Sequence, residues 1–286
     1  MNPAATLVIG AGPAGSACAL WLHQLGCPVT LLERSAQAGG LQTFSPYENR
    51  WLPSVVDASG QEIAARLDAQ LRSAGVDLRT NTGVRAISTN AAGFAVALED
   101  GSVLQAPQLV LATGARFRTG SFSNAGAVAI GPGHNTEALD VQGKRVAILG
   151  GGDNAFDQYG FIMRRGAQSV TIFAKTVRAQ HVLRAVVPAS DVVVGPFEAR
   201  QSDMTVNGQA FDAISVQFGF EAVVPEGLQA LQRTPLGFVA ANLWGETSVP
   251  HLYAAGEISQ TFHPCVATSF AHGIQVAKHI HRQHSY

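Results

Sequence analysis

The feature that most constrains this chain is a unit it carries twice. TLVIGAGPAGSACAL, Thr6 to Leu20, and VAILGGGDNAFDQ, Val146 to Gln158, each read as a buried strand, a glycine loop and the start of a helix. In the first, Gly10, Gly12 and Gly15 are spaced GxGxxG. The first glycine makes a tight turn, the second lets backbone approach a pyrophosphate, and the third lets the helix pack close on the strand. The helix start at Pro13-Ala14 turns free N–H groups and a positive dipole end toward the phosphates. The next strand, PVTLLE, ends on Glu33, with Arg34 beside it. A carboxylate there accepts hydrogen bonds from a ribose diol.

The second loop has Gly150, Gly152 and Ala155 spaced GxGxxA, with Asp153 and Asn154 opening the helix. No acid ends the strand that follows, Ser169 to Phe173. Lys175 and Arg178 come next, with the charge to meet a 2′-phosphate, which favours NADPH over NADH. A solvated basic turn is the alternative. Two loops of different character imply two nucleotides, FAD and NADPH or NADH, brought together for hydride transfer.

The length of 286 residues fits one large domain or two modest ones, and 47% hydrophobic content supplies a core. A net charge of −1 gives no standing attraction to nucleic acid or an anionic membrane. The apolar runs are too short to span a bilayer, and the start of the chain shows no signal-peptide pattern. Cys18, Cys27 and Cys265 contain no CxxC spacing, which points to a reduced, cytoplasmic setting. Ser59 with Glu62 forms a capping box for a helix that Gly75 ends. Residues 84–105 read as a hairpin turning at Asp100-Gly101, and Met204 to Val216 as a hairpin turning at Asn207-Gly208. Gln108 to Ala115 and Val249 to Ile258 read as strands, and a last helix runs from about Ala267 to His281.

GAGPAG, Glu33, AGG at Ala38 to Gly40, ATG at Ala112-Thr113-Gly114, GGGDNA at 150–155 and VPHLYAAGE at 249–257, taken in order, resemble the low-molecular-weight thioredoxin reductase family. The resemblance implies an α/β fold of two Rossmann-like (three-layer ββα) dinucleotide-binding domains, the NAD(P) domain inserted into the FAD domain. The FAD parts are expected at 1–116 and 246–286 and the insert at 117–245, with hinges near 114–120 and 245–247. It implies that Gly40-Leu41-Gln42 lies along the flavin, that Val84 sits by the adenine, and that Gly256-Glu257 holds the ribityl chain. Cys265 and Val266 would present backbone to the pyrimidine ring at the start of the last helix. A homodimer is also implied.

The sequence departs from the family at informative places. Where thioredoxin reductases carry CxxC, this chain has Gly133-His134-Asn135-Thr136. Thiol–disulfide exchange needs a thiolate, so thioredoxin is not reduced in the family's way. The family's HRRxxxR is AKTVR here, and its GD is GE at Gly256-Glu257. HNTEALDVQGKRVAILGGGDNAFD is similar to ferredoxin/flavodoxin–NADP reductases of thioredoxin-reductase type, which lack the dithiol. Their C-terminal extension, which carries an aromatic over the flavin, is expected to be matched poorly by the tail of this chain.

Two side chains are candidates for a chemical role. Cys265 could form a flavin adduct or mixed disulfide, or act only through its backbone. His134 could donate a proton, or be a surface histidine. Cys18 and Cys27 read as core or helix-end residues. His279, His281 and His284 have metal-like spacing but no supporting acid or cysteine; a frayed, solvated tail is expected and no metal site is assigned. Trp51 or Tyr286 could cover the flavin or simply pack. The expected function is an FAD-dependent oxidoreductase taking hydride from NAD(P)H and passing electrons to an unknown non-dithiol acceptor, a small molecule or a redox protein. The alternatives are a ferredoxin/flavodoxin–NADP reductase-type activity, or a flavin oxidase or redox-sensing flavoprotein that uses no NAD(P)H.

Overall fold

The computed structural model describes residues 5–284, the side chain of His284 excepted. The chain opens with β1 (Thr6–Ile9), α1 (Pro13–Gln24) and β2 (Val29–Leu32). A 3-10 turn at Gly40–Phe44 leads to α2 (Gly60–Ser73) and β3 (Asp77–Arg79). β4 (Val84–Asn90), β5 (Gly93–Leu98) and β6 (Val103–Ala106) form an antiparallel meander before β7 (Gln108–Leu111) and β8 (Ala115–Phe117). Then come β9 (Val128–Ile130), α3 (His134–Ala138), β10 (Arg145–Leu149), α4 (Asp153–Arg164) and β11 (Ser169–Ala174). α5 (His181–Arg184), β12 (Val192–Val194), three short antiparallel strands, β13 (Ala199–Arg200), β14 (Thr205–Val206) and β15 (Gln209–Ala210), and β16 (Ala213–Val216) follow. β17 (Phe220–Ala222), β18 (Leu252–Ala254), a 3-10 turn at Gly256–Ile258 and α6 (Val266–His284) complete the chain.

Packing divides these elements into two units, Met1–Arg116 with Glu221–Tyr286, and Phe117–Phe220. In the first, a parallel sheet runs in the order β18-β7-β1-β2-β3. Its strands β18, β7 and β1 are buried throughout because both faces are covered. Val8, Leu31 and Val110 meet Cys18 and Leu22 of α1 and Val276 and Ile280 of α6 on one side. Leu7, Ile9 and Leu109 meet Ile87, Phe94 and Val96 of the meander on the other. The second unit repeats the plan. Its parallel sheet runs β12-β11-β10-β16-β9, with α4 on one face and β13–β15 on the other. Both are the expected three-layer arrangement.

The return from the inserted unit comes earlier than the sequence suggested, between Phe220 and Glu221 instead of 245 and 246. Leu228, Leu231 and Val239 are buried in the first unit's core beside Ile87 and Phe94, and Ile87 N–H donates to the Glu226 carbonyl at 2.8 Å. Residues 245–247 therefore lie inside the first unit and are no hinge between units. This stretch is held by isolated bridges such as Arg233–Val239, so it carries no periodicity to read. The hairpin at Asn207-Gly208 forms between β14 and β15, both turn residues having positive φ, but Ala213–Val216 leaves it. Those four residues are buried and pair in parallel with β10. The segment 84–105 gains a second turn, at 91–92, and Val249 to Ile258 is strand only at its centre. α6 extends to His284, so the expected frayed tail is helix. His279 Nε2 lies 2.8 Å from Glu246 Oε1 and its ring stacks on Trp244, while His281 Nδ1 lies 3.5 Å from Cys27 Sγ. Among the described residues no cluster could hold a metal and no helix is long and apolar enough to cross a membrane.

Candidate dinucleotide sites

In the first unit the C-terminal ends of β1, β2 and β7 open on a cavity of about 560 Å³. Gly10, with φ +98°, turns the chain there, and a Cβ on it would stand 2.5 Å from the Ala112 carbonyl oxygen. Gly15 does not line the cavity; a Cβ on it would fall 1.9 Å from the Gly10 carbonyl oxygen, so it sets how closely α1 approaches β1. Gly12 and Gly40 meet backbone to backbone, a Cβ on Gly40 lying 2.9 Å from Gly12 Cα. Pro13 and Ala14 complete the loop wall, and no side chain caps α1. Its first amides are left for a ligand.

Glu33 is buried at the end of β2. One carboxylate oxygen accepts Ala11 N–H and the other Ser35 N–H, both at 2.8 Å. Each oxygen keeps lone-pair capacity toward the cavity. Arg34 lines the same cavity and pairs with Glu99 at 2.7 Å, both largely exposed. Leu41, Gln42, Val84, Ala112, Thr113, Gly114, Glu257 and Val266 complete the expected residues found on its wall. Burial raises the Glu257 carboxyl above its ordinary pKa. Gly256 sits behind the wall, where a Cβ would meet Ala14 Cβ at 2.6 Å.

Cys265 does not line the cavity; it caps α6. Thr268 N–H donates to its sulfur at 3.5 Å, and its own N–H donates to Thr268 Oγ1 at 3.3 Å. The thiol is thus engaged within the first turn of its own helix. Trp51 is 87% exposed, and Tyr286 lies outside the described residues.

The sequence did not reveal Thr82, Arg85, Phe44 or the strip Val223 to Glu226, all on the cavity wall. The strip is laid there by Val223 N–H donating to the Gly114 carbonyl at 3.0 Å and by Thr113 Oγ1 donating to the Val223 carbonyl. The signal available was Pro225-Glu226-Gly227, a turn motif beyond the insert; Gly227 has φ +90° and abuts the Ile87 carbonyl.

In the second unit Gly150, Gly152 and Ala155 occupy the matching turn, and α4 also lacks a side-chain cap. Gly151 is the unforeseen requirement: a Cβ there would be 2.0 Å from the Thr176 carbonyl oxygen. Arg178 N–H donates to the Gly151 carbonyl at 2.7 Å, so the basic turn is fastened to the glycine loop. The side chains of Lys175 and Arg178 are exposed. Asp153 accepts from Gln180 N–H at 2.8 Å and Nε2 at 2.9 Å, and Asn154 is half-buried beside it. His134 is an exposed residue at the start of the one-turn α3.

A family model described as pyridine nucleotide-disulphide oxidoreductase matches residues 4–283. The chain is 28% identical over 306 residues to the NADH dehydrogenase of Bacillus subtilis (strain 168), covering 96% of this chain but 58% of that protein. It is 28% identical over 282 residues to the ferredoxin–NADP reductase of Leuconostoc citreum (strain KM20), covering 88% of this chain and 83% of that one. Its fold is that of Lactococcus lactis thioredoxin reductase, with a TM-score of 0.81 at 23% identity over 98% of both chains.

Proposed function

This chain belongs to the pyridine nucleotide-disulphide oxidoreductase family, and from that premise we propose that it takes hydride from NADPH and passes the electrons through FAD to an acceptor other than a dithiol of its own. It is an enzyme of a family that uses FAD and NAD(P)H. The observation that carries the reading is the pair of uncapped helix starts, each under a glycine turn that a Cβ would block.

The first cavity fits FAD in its residues. The amides at the start of α1 would hold the diphosphate, Glu33 the adenosine ribose, and Val84 and Thr82 the adenine. Gln42, Thr113 and Val266 would border the ring system. The bound flavin supplies hydride acceptance and stepwise electron release. The start of α6 adds a positive dipole end where negative charge would develop on the ring. The chain's own work is placement and field, since hydride transfer needs no side-chain acid or base.

NADPH is favoured because Lys175 and Arg178 follow β11, where an NADH site carries an acid. Cys18, Cys27 and Cys265 are all free thiols, two of them buried, which supports an acceptor other than these cysteines. The ferredoxin–NADP reductase relative supports a redox protein as acceptor. The homodimer belongs to the same proposal, with light scattering as its check. The deciding experiment is anaerobic mixing of the flavin-loaded protein with NADPH or NADH, followed at about 450 nm, the oxidised-flavin band. Rapid bleaching by NADPH is expected. No bleaching by either nucleotide would overturn the reading and leave a flavoprotein reduced by another donor.

A further inference from the structure

Behind the large cavity lies a second, of about 10 Å³, between the Gly256–Ile258 turn and the first two turns of α6. That is close to the smallest space that holds one water. His272 lines it, 1% exposed. Its Nδ1 accepts Gly256 N–H at 3.1 Å. The neutral ring therefore carries its proton on Nε2. That Nε2–H is buried and has no hydrogen-bond acceptor among the described residues. Glu257 and Ser269 line both this chamber and the large cavity, so they form the partition between them. The Glu257 carboxyl accepts no hydrogen bond from the described residues, and burial disfavours its charge. A buried donor without a partner thus faces a water-sized space whose wall includes the half-buried carboxyl of Glu257.

We propose that His272 is a positioning residue for the flavin cavity: through Gly256 N–H and through one internal water shared by its Nε2–H, Ser269 and Glu257, it fixes the direction in which Glu257 presents its carboxylate to the large cavity. The proposal rests on the flavin reading above for its functional half. The water accepts from Nε2–H and donates to Glu257 and Ser269, giving it the usual number of partners for an internal water. Charging the ring would make Nδ1 a donor facing the Gly256 donor, and burial holds the ring pKa down at about 4. His272 therefore keeps this donor pattern at neutral pH. The rival way to satisfy Nε2–H is the ring of Phe262, which meets the imidazole edge-on at a centroid distance of 5.1 Å.

Two measurements test this. The first needs no flavin: long-range nitrogen–proton NMR of the histidines, with a water-to-Nε2–H cross-relaxation experiment. The Nε2–H tautomer of His272 and a long-lived water contact are expected. Absence of that contact, with the Nε2–H shifted upfield by an aromatic face and the shift lost in Phe262→Leu, would overturn the water. The second is a double-mutant cycle on FAD affinity. His272→Asn keeps an acceptor for Gly256 N–H but loses the donor, and His272→Gln keeps a donor near Nε2. His272→Asn is expected to weaken FAD binding about tenfold, His272→Gln less, and the Asn effect to vanish when Glu257 is already alanine. An equal effect in both backgrounds would reduce His272 to a packing residue. A protein that binds no FAD would defeat the flavin reading, while the NMR result still judges the chamber.

Discussion

Glu33 spends both carboxylate oxygens on backbone amides, one in the glycine loop and one beyond β2. Glu33→Gln keeps the shape but turns an NH2 toward one of those N–H donors. FAD affinity is expected to fall about 10- to 100-fold, measured by fluorescence titration of apoprotein, because charge-assisted bonds of this kind are worth roughly 1.5–3 kcal/mol. A loss under about twofold would remove Glu33 from the recognition set. His272 makes a second prediction. Its pKa is lowered from 6.5 to about 4 in the folded protein. Between those values the unfolded chain binds the extra proton, so stability rises with pH through that window and is lost as pH falls. The loss is on the order of 3 kcal/mol by pH 4. Melting curves at pH 4.5 to 7 should show a shallower slope for His272→Gln than for the parent. Glu33 was legible because it ends a strand after a glycine loop. His272 was not, because its partner Gly256 lies on another element, and only folding brings the two together.

Among the helices of twelve residues or more, α2 differs from α1 and α4 in how it starts. α2 has the full capping box the sequence announced, Ser59 and Glu62 each satisfying the other's backbone N–H. α1 and α4 start on glycine with no side-chain cap. Ser59→Ala should cost about 1 kcal/mol in urea unfolding and leave FAD affinity unchanged. The crossing of α1 and α6 is tighter still: a Cβ on Gly273 would lie 2.1 Å from the Ala14 carbonyl oxygen. Gly273→Ala should therefore push α6 off the phosphate loop, lowering stability by about 1–3 kcal/mol and releasing flavin on gel filtration. Retention of flavin at parental affinity would show that the contact is not needed for the site. Elements with period or caps were legible; β16 and the strip at 223–226 were not. β16 looked like half of a hairpin because an apolar tetrapeptide does not declare its partner, and the strip has no regular pattern at all.

At the scale of the molecule, two units share a sheet plan but carry different residues around their glycine loops. Hydrogen exchange should separate them. Removing FAD should raise exchange about tenfold or more at residues 10–15, 38–42 and 256–268, and leave 146–164 nearly unchanged. A global rise would mean that the flavin stabilises the whole chain as one cooperative body. The duplicated strand–loop–helix made this plan readable from sequence. The exit from the insert was not readable, because residues 221–245 return to the first core through isolated contacts. The two crossing strands, β8 and β17, pair in one ribbon, and β7 and β18 are neighbours in the first sheet although the whole insert separates them in sequence. The second unit therefore enters and leaves through a single doorway in the chain. In genetic terms it is a cassette. One cut on each side of that ribbon would lift out a nucleotide module and admit another, and the flavin sheet would keep its strand order.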